Sequence, residues 1–158
     1  MTEKAADERE KLTLAQASGQ LLEESRMVLP GMQALFGFQL IAVFNDTFFD
    51  RLGSTQQRLH LLAISLVVFA IAVIMTPAAY HRVTSPRAVS GHFIAASSRM
   101  LLLSMGPLAL AVCIDLYVVA WLVVGHDVAI VLASFLLAVF GYMWYVLPRV
   151  KRARRFFG

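Results

Sequence analysis

One acidic residue, Asp115, lies in the middle of an uninterrupted apolar stretch of the chain, residues 100–124. A carboxylate inside a bilayer is costly if it is ionised and unpaired, so it has to be partnered, hydrated or protonated. Ionisable groups at such positions often bind ions or carry protons. Asp115 is therefore the first candidate for chemistry in this sequence.

Each of the four apolar runs of the chain carries one polar side chain at a similar depth. At about 1.5 Å per residue, Gln39 and Asp115 lie roughly 18 and 21 Å from the cytoplasmic boundary of the membrane. Ser65 and Ser134 each lie about 9 Å below the opposite boundary, which is nearly the same level. The counting predicts a polar layer made of Asp115, Gln39, Ser65 and Ser134.

Two interpretations of this polar layer are open. In the functional one, Asp115 binds and releases H+ or Na+, while Gln39 and the two serine hydroxyls complete the oxygen shell. In the structural one, a neutral Asp115 forms a hydrogen bond with Gln39 and locks a helix bundle or a dimer interface. The absence of a second carboxylate or an intramembrane base from the layer favours the structural interpretation.

The four histidines do not form a recognisable metal or haem motif. His60 and His126 fall near the outer boundary of the membrane, and His81 and His92 fall near the inner one. No two of them have a ligand spacing within one helix, and a bis-histidine haem would need His60 and His126 on facing helices. We therefore expect no metal and no cofactor. Phosphate-binding loops and nucleophile motifs are also missing from the sequence, which argues against an enzyme.

The elements that must position these residues are four apolar runs: residues 28–45, 59–79, 100–124 and 128–147. Each run has about 18 to 25 residues, enough to cross roughly 30 Å of hydrocarbon as a helix. A mean hydropathy of +0.70 with 15% charged residues leaves too little charged surface for a water-soluble domain. The sequence predicts an all-α integral membrane protein, a four-helix bundle over residues 27–148.

Polar segments flank this membrane domain at both ends. Residues 1–26 read as a cytoplasmic tail with an amphipathic helix from about Thr13, where Leu14, Ala17 and Leu21 share one face. That helix either lies on the membrane surface or runs into the first span. The acidic N-terminus does not resemble a cleavable signal peptide, so we expect the first span to act as the targeting signal. Residues 149–158 form a basic cytoplasmic tail.

The positions of the basic residues predict the orientation of the chain. Twelve of the 14 Lys and Arg residues lie in the two terminal tails and in the middle loop, residues 80–99, and only two lie in the other loops. The positive-inside rule then places both termini in the cytoplasm, as in a multi-pass protein of a bacterial inner membrane. The middle loop has bases and no acids. It either binds anionic lipid headgroups or an acidic partner, or serves only as a topology signal.

The net charge of +4 does not indicate a nucleic-acid-binding protein, because the bases form short clusters at the ends of apolar runs. The single cysteine, Cys113, can neither close an intrachain disulfide nor bind a metal by itself.

Two segments, residues 24–40 and 77–82, resemble an uncharacterised family of small bacterial four-span membrane proteins. The resemblance covers nearly the whole chain after the N-terminal tail, and members of that family often carry the automatically assigned name sodium:proton antiporter. The resemblance implies a four-span fold and exchange of monovalent cations for protons, without locating a site. The positions that match the family pattern are Arg26, Pro30, Gly31, Gln33, Gln39, His81 and Arg82.

The leading hypothesis is a small inner-membrane protein that moves or senses a monovalent cation or a proton through Asp115. Well-understood sodium:proton antiporters have many more than four spans, so we expect a homo-oligomer. The alternative is a scaffold or accessory subunit that transports nothing and docks a partner or anionic lipid through its basic cytoplasmic segments.

Overall fold

The computed structural model describes residues 3–84 and 91–150, and this part of the chain is helical almost throughout. Only residues 44–45, residues 52–53 and Gly125 are not helical there, and these two ranges contain no strand. The predicted all-α class is therefore confirmed. The helices, in chain order, are α1 (Glu3–Val43), α2 (Asp46–Arg51), α3 (Ser54–Thr84), α4 (Gly91–Val124) and α5 (His126–Gly141), which continues into a π-helical turn (Tyr142–Val146).

Four of these helices are long and apolar enough to cross a membrane. The candidate spans are Gly19–Val43 in α1, Ser54–Tyr80 in α3, Phe93–Val124 in α4, and His126–Val150 in α5 and the turns after it. Each apolar run predicted from the sequence falls on one of them. The number of candidate spans and their order along the chain agree with the prediction.

The helices α3 and α4 begin several residues before their apolar runs, so the loops that precede these helices are shorter than expected. The apolar run of α3 begins at residue 59, but the helix begins at Ser54; the run of α4 begins at residue 100, but the helix begins at Gly91. The loop expected over residues 80–99 is thus mostly helical, and residues 85–90 lie outside the described ranges. The reason is that hydropathy detects the apolar part of a helix, whereas polar residues can form its first turns.

The N-terminal region and the first span form one helix. Of the two alternatives for the helix expected from Thr13, α1 corresponds to the one that runs into the first span. The side chains of Leu14 and Ala17 lie outside the described residues, so the amphipathic face stays a prediction. At Gly31 and Gly37 an added Cβ would meet no heavy atom within 4 Å. The space that each of these glycines leaves on the surface of α1 is therefore not filled by another described helix.

The helical residues fall into two compact units, and α1, α3 and α4 contribute a segment to each. Unit 1 comprises Met1–Phe38 and Val67–Leu108. Its core is built on three buried side chains, Met32 of α1 and Ala70 and Ile74 of α3. Partly buried apolar residues pack against them, among them Leu29 and Leu101.

Unit 2 comprises Gln39–Leu66 and Ala109–Gly158. Most of its buried apolar side chains are small, and many large ones are exposed, such as Phe135 and Val131 on α5. Small residues at helix contacts with large apolar residues outside are typical of helices packed in lipid. The buried apolar residues of this unit are Ala63, Ala109, Ala111, Cys113, Val118, Ala120 and Ala129.

Candidate functional site

Three helices of unit 2 each bring one polar side chain to a common cluster. Gln39 lies four residues before the end of α1, His60 six residues after the start of α3, and Asp115 nine residues before the end of α4. At 1.5 Å per residue these positions are roughly 6, 9 and 14 Å from the nearest helix ends. The cluster therefore lies inside the candidate spans, toward the end at which α1 leads into α2.

Asp115 is the hub of this cluster. The Gln39 side chain donates from Nε2 to Asp115 Oδ2 at 2.6 Å. The other carboxylate oxygen, Oδ1, lies 2.9 Å from His60 Nδ1. The second ring nitrogen of His60, Nε2, lies 3.0 Å from the main-chain oxygen of Gln39. The three side chains thus link α1, α3 and α4 by hydrogen bonds.

The hydrogen-bonding partners fix how many protons the cluster holds. A main-chain oxygen only accepts, so His60 Nε2 must carry a hydrogen. One further hydrogen must lie between His60 Nδ1 and Asp115 Oδ1, on either an imidazolium or a carboxylic acid. The pair is electrically neutral in both forms. Loss of that shared proton leaves one negative charge and turns two lone pairs toward each other.

Burial makes an unbalanced charge in this cluster costly in free energy. The exposed fraction of Gln39 is 3% and that of His60 is 7%, and the Asp115 side chain is 19% exposed. In such surroundings an uncompensated charge is costly, because water and its high dielectric are largely excluded. The cluster is therefore suited to hold either the shared proton or another unit positive charge.

One polar atom of the cluster is left unsatisfied. Gln39 Oε1 is buried and has no hydrogen-bond partner among the described residues. A buried carbonyl oxygen without a partner costs about 1–3 kcal/mol. Such an atom next to an ionisable pair needs a ligand, either a hydrogen-bond donor or a cation.

An aromatic ring lies over the histidine of the cluster. The Phe48 ring, carried by α2, has its centroid 5.3 Å from that of His60, with the two planes inclined at 56°. Phe48 also makes an edge-on contact with Phe49, at 5.2 Å between centroids. The short helix α2, which sequence reasoning did not predict, thereby covers part of the cluster.

The two serines of the predicted layer are not part of this cluster. Ser65 is exposed and donates to the main-chain oxygen of Leu61, one turn earlier in its own helix, at 2.9 Å. Ser134 lines a separate, mainly apolar cavity together with Cys113 and Tyr117. Of the four residues expected at one level, the structure brings together only Gln39 and Asp115.

His60 was missed as a partner of Asp115 for a geometric reason. Counting 9 Å inward from residue 59, where the apolar run begins, reaches Ser65. The helix begins five residues earlier, at Ser54, and the same count from there reaches His60. The polar start of α3, Ser54 to Gln57, could have given the signal, because polar residues followed by a long apolar run suit a helix that begins at the interface.

Of the other histidines, only the side chain of His126 is described, and it is not part of a group of metal ligands. Both ring nitrogens of His60 are engaged, and His126 Nδ1 lies 3.1 Å from the Tyr117 hydroxyl. The side chains of His81 and His92 lie outside the described residues. Over the described part of the chain, no three His, Cys, Asp or Glu residues are grouped as metal ligands.

The residues of the family-like motif belong, except for Gln39, to unit 1. All the motif residues of unit 1 whose side chains are described are exposed. None of these described side chains contributes to the cluster around Asp115. The exposed members are Arg26, Pro30, Gly31 and Gln33 on α1 and Arg82 on α3.

In a comparison with known protein families, the sequence model of one family matches residues 7–148. The chain belongs to the family of unknown function DUF6328. The match covers three candidate spans completely, the fourth except for its last two residues, and all three residues of the cluster. Comparison with curated proteins and with solved structures finds no match. The description of the family assigns no activity, so the function has to be argued from the cluster itself.

Proposed function

We propose that this chain is a small membrane protein that couples the movement of a proton to that of a monovalent cation, in the manner of a sodium:proton antiporter. The proton is carried by the His60 and Asp115 pair. The observation that supports this proposal is the 2.9 Å contact between His60 Nδ1 and Asp115 Oδ1, which requires one shared hydrogen and lies among three apolar helices.

The charge of the cluster provides the physical reason for exchange. With its proton the pair is neutral, and without it the pair carries one negative charge. Inside a bilayer that charge needs a counter-ion. A single positive ion replaces the proton without changing the total charge, so proton release and cation binding favour one another.

The proposed setting is a bacterial inner membrane with both termini in the cytoplasm. The four candidate spans support a membrane location, and the basic residues concentrated at one set of helix ends support the orientation. With the termini inside, the end of α1 that carries Gln39 faces the outer side. The shared proton then lies closer to the outer aqueous phase than to the cytoplasm.

The protein is proposed to work as a homo-oligomer. Within an apolar 18-residue stretch of the α5 span no residue is buried, compared with 28% of the residues in the corresponding stretches of α3 and α4. Ala129 is the only buried residue recorded for α5. A second copy packed on this helix would extend a four-span chain to the number of spans that exchangers need. Cross-linking in native membranes tests this point, and a strictly monomeric chain would contradict it.

The direct test of function is flux through purified protein in liposomes. A pH gradient is imposed with and without Na+, and its decay is followed with a fluorescent pH indicator. We expect Na+ to accelerate the decay for the wild type and not for Asp115→Asn, which lacks the ionisable group. Thr76→Ala is a matched control, because the Thr76 hydroxyl is exposed and bonds only to Ala72 in its own helix.

The alternative function, a scaffold or accessory subunit, makes the opposite prediction. The same hydrogen bonds would then serve only to hold α1, α3 and α4 together, and the basic cytoplasmic segments would bind a partner or anionic lipid. If wild-type liposomes keep the gradient with and without Na+, or if Asp115→Asn conducts as well as the wild type, transport through Asp115 is excluded and the scaffold is favoured.

A further inference from the structure

We infer that the side-chain amide of Gln39 is the cation ligand of the cluster, and that it turns over when the proton is exchanged. This inference rests on the proposed function, because it assumes that the His60 and Asp115 pair releases its proton. It assigns to Gln39 a role in choosing between the two ions, and it defines the class of ion as a small monovalent cation that prefers oxygen ligands.

The position of the unsatisfied oxygen carries the inference. In the proton-loaded cluster, Gln39 turns its Nε2 toward Asp115 Oδ2 at 2.6 Å. Its Oε1 is left buried and without a described partner. The other carboxylate oxygen, Oδ1, faces His60 Nδ1, and His60 Nε2 donates to the main-chain oxygen of Gln39, so both ring nitrogens are already engaged. No described residue therefore serves as the ligand of Oε1, and a cation held by the neighbouring carboxylate is a ligand of the right charge.

Rotation of the amide group provides the exchange. The terminal torsion of a glutamine side chain has a broad energy profile, so a half-turn exchanges Oε1 and Nε2 at small cost. A cation bound to the Asp115 carboxylate repels an N–H dipole that points at it and attracts a carbonyl oxygen. When the cation replaces the proton, the turned amide gives the ion a second oxygen ligand from the protein. The same amide cannot donate to Oδ2 at that moment, which makes the two loaded states mutually exclusive.

The charge and the number of ligands define the ion. The cluster has a single carboxylate, whose charge matches one monovalent cation. Calcium needs six to eight oxygen ligands, as a typical value, and usually several carboxylates, which these residues do not supply. Transition metals prefer sites with several His and Cys ligands, and these three residues supply a single imidazole and no thiolate. Li+ and Na+ are therefore the expected ligands among common ions.

The experiment measures whether Na+ competes with the shared proton. Purified protein in detergent is labelled with 15N histidine, and the ring signals of His60 are titrated with pH at increasing Na+. Because Na+ binds only the proton-free cluster, the wild-type midpoint should fall as Na+ rises. The fall should be about one pH unit when the Na+ concentration is ten times its dissociation constant.

Gln39→Leu isolates the role of the amide. We expect its His60 and Asp115 pair to titrate still, and its Na+ affinity to fall at least about tenfold, so that at the same Na+ concentration the midpoint moves by only about 0.3 pH unit. Gln20→Leu removes an exposed amide from the same helix and should behave as the wild type. In the wild type, 15N glutamine labelling should also show a change in the Gln39 amide signal when Na+ is added.

The outcomes separate this inference from the proposed function. If the wild-type pair does not titrate at all, the proposed function fails. If the wild type titrates but Na+ moves neither its midpoint nor the Gln39 amide signal, the inference is overturned and the proton site remains. A full Na+ response in Gln39→Leu also overturns it. If Gln39→Leu does not fold, Gln39→Asn and the wild-type amide signal decide, because the shorter amide should bind Na+ more weakly.

Discussion

Replacement of Asp115 by asparagine or by leucine should have very different consequences for stability. In Asp115→Asn the side-chain amide can donate to His60 Nδ1, and the side-chain oxygen can accept from Gln39 Nε2. Every hydrogen bond of the cluster is then kept, because His60 remains protonated at Nε2 by its bond to the Gln39 main-chain oxygen. Asp115→Leu has a similar size but offers neither donor nor acceptor.

The expected magnitude follows from the number of polar atoms that lose their partners. Leucine leaves His60 Nδ1 and Gln39 Nε2 unpaired, and an unsatisfied buried group costs about 1–3 kcal/mol in a soluble protein. Values in membranes are lower, often below about 1 kcal/mol, because the unfolded chain in the bilayer also finds partners. We therefore expect a loss of about 2 kcal/mol for Asp115→Leu and less than about 1 kcal/mol for Asp115→Asn.

The assay is reversible unfolding in mixed micelles with increasing denaturing detergent, followed by circular dichroism at neutral pH. Thr76→Ala serves again as the control, because it removes only a bond within one helix. The reasoning predicts the order wild type, Asp115→Asn, Asp115→Leu in decreasing free energy of unfolding. Equal destabilisation by the two substitutions would refute it, since the proton between His60 and Asp115 would then not be replaceable by an amide hydrogen.

Three further predictions concern residues around and beyond the cluster. Gly125 lies between α4 and α5 with φ 91° and ψ 174°, a conformation nearly restricted to glycine. Gly125→Ala should therefore lower the free energy of unfolding by about 1–3 kcal/mol. Gly37 lies inside α1 with open space around it, so Gly37→Ala should be neutral or slightly stabilising in the same unfolding assay. His60→Ala removes the group that shares a proton with Asp115 Oδ1, so liposome flux should lose its Na+ dependence; flux that still responds to Na+ would contradict this. Phe48→Ala uncovers the ring of His60 and should speed its modification by diethylpyrocarbonate several-fold, whereas Phe44→Ala, which removes a ring that is 84% exposed, should leave the rate as it is.

The sequence was sufficient to predict the elements that carry the cluster and one of its contacts. Continuous apolar runs predicted the four long helices, because only a helix can satisfy its own backbone across a membrane. Depth counting placed Gln39 and Asp115 at similar levels, and the two are hydrogen-bonded. The predicted depths of Gln39 and Asp115 agreed because both were counted along long apolar segments. An error of a few residues in the membrane boundary therefore did not place the two side chains at different levels.

The contact with His60 could not be predicted, because it depends on where α3 begins. Hydropathy cannot locate that start, since the first turn of the helix is polar. The position of Phe48 over His60 could not be predicted for a related reason. The helix that carries it, α2, has only six residues, and so short a segment has too few residues for a hydrophobic period to appear. The exposure of Ser65 depends on the rotation of α3 about its own axis. The depth of a residue in the membrane, counted along the helix, does not determine this rotation.

The most direct test of the account is to detect the shared proton itself. Wild-type protein and Asp115→Asn, both labelled with 15N histidine, are reconstituted in bilayers, and the two ring nitrogens of His60 are followed by solid-state NMR over a pH range in which the protein stays folded. The account predicts that Nε2 keeps its hydrogen throughout, that Nδ1 loses one proton in the wild type, and that this single step is missing in Asp115→Asn. A His60 ring that behaves identically in both proteins would contradict the claim that the pair binds and releases a proton.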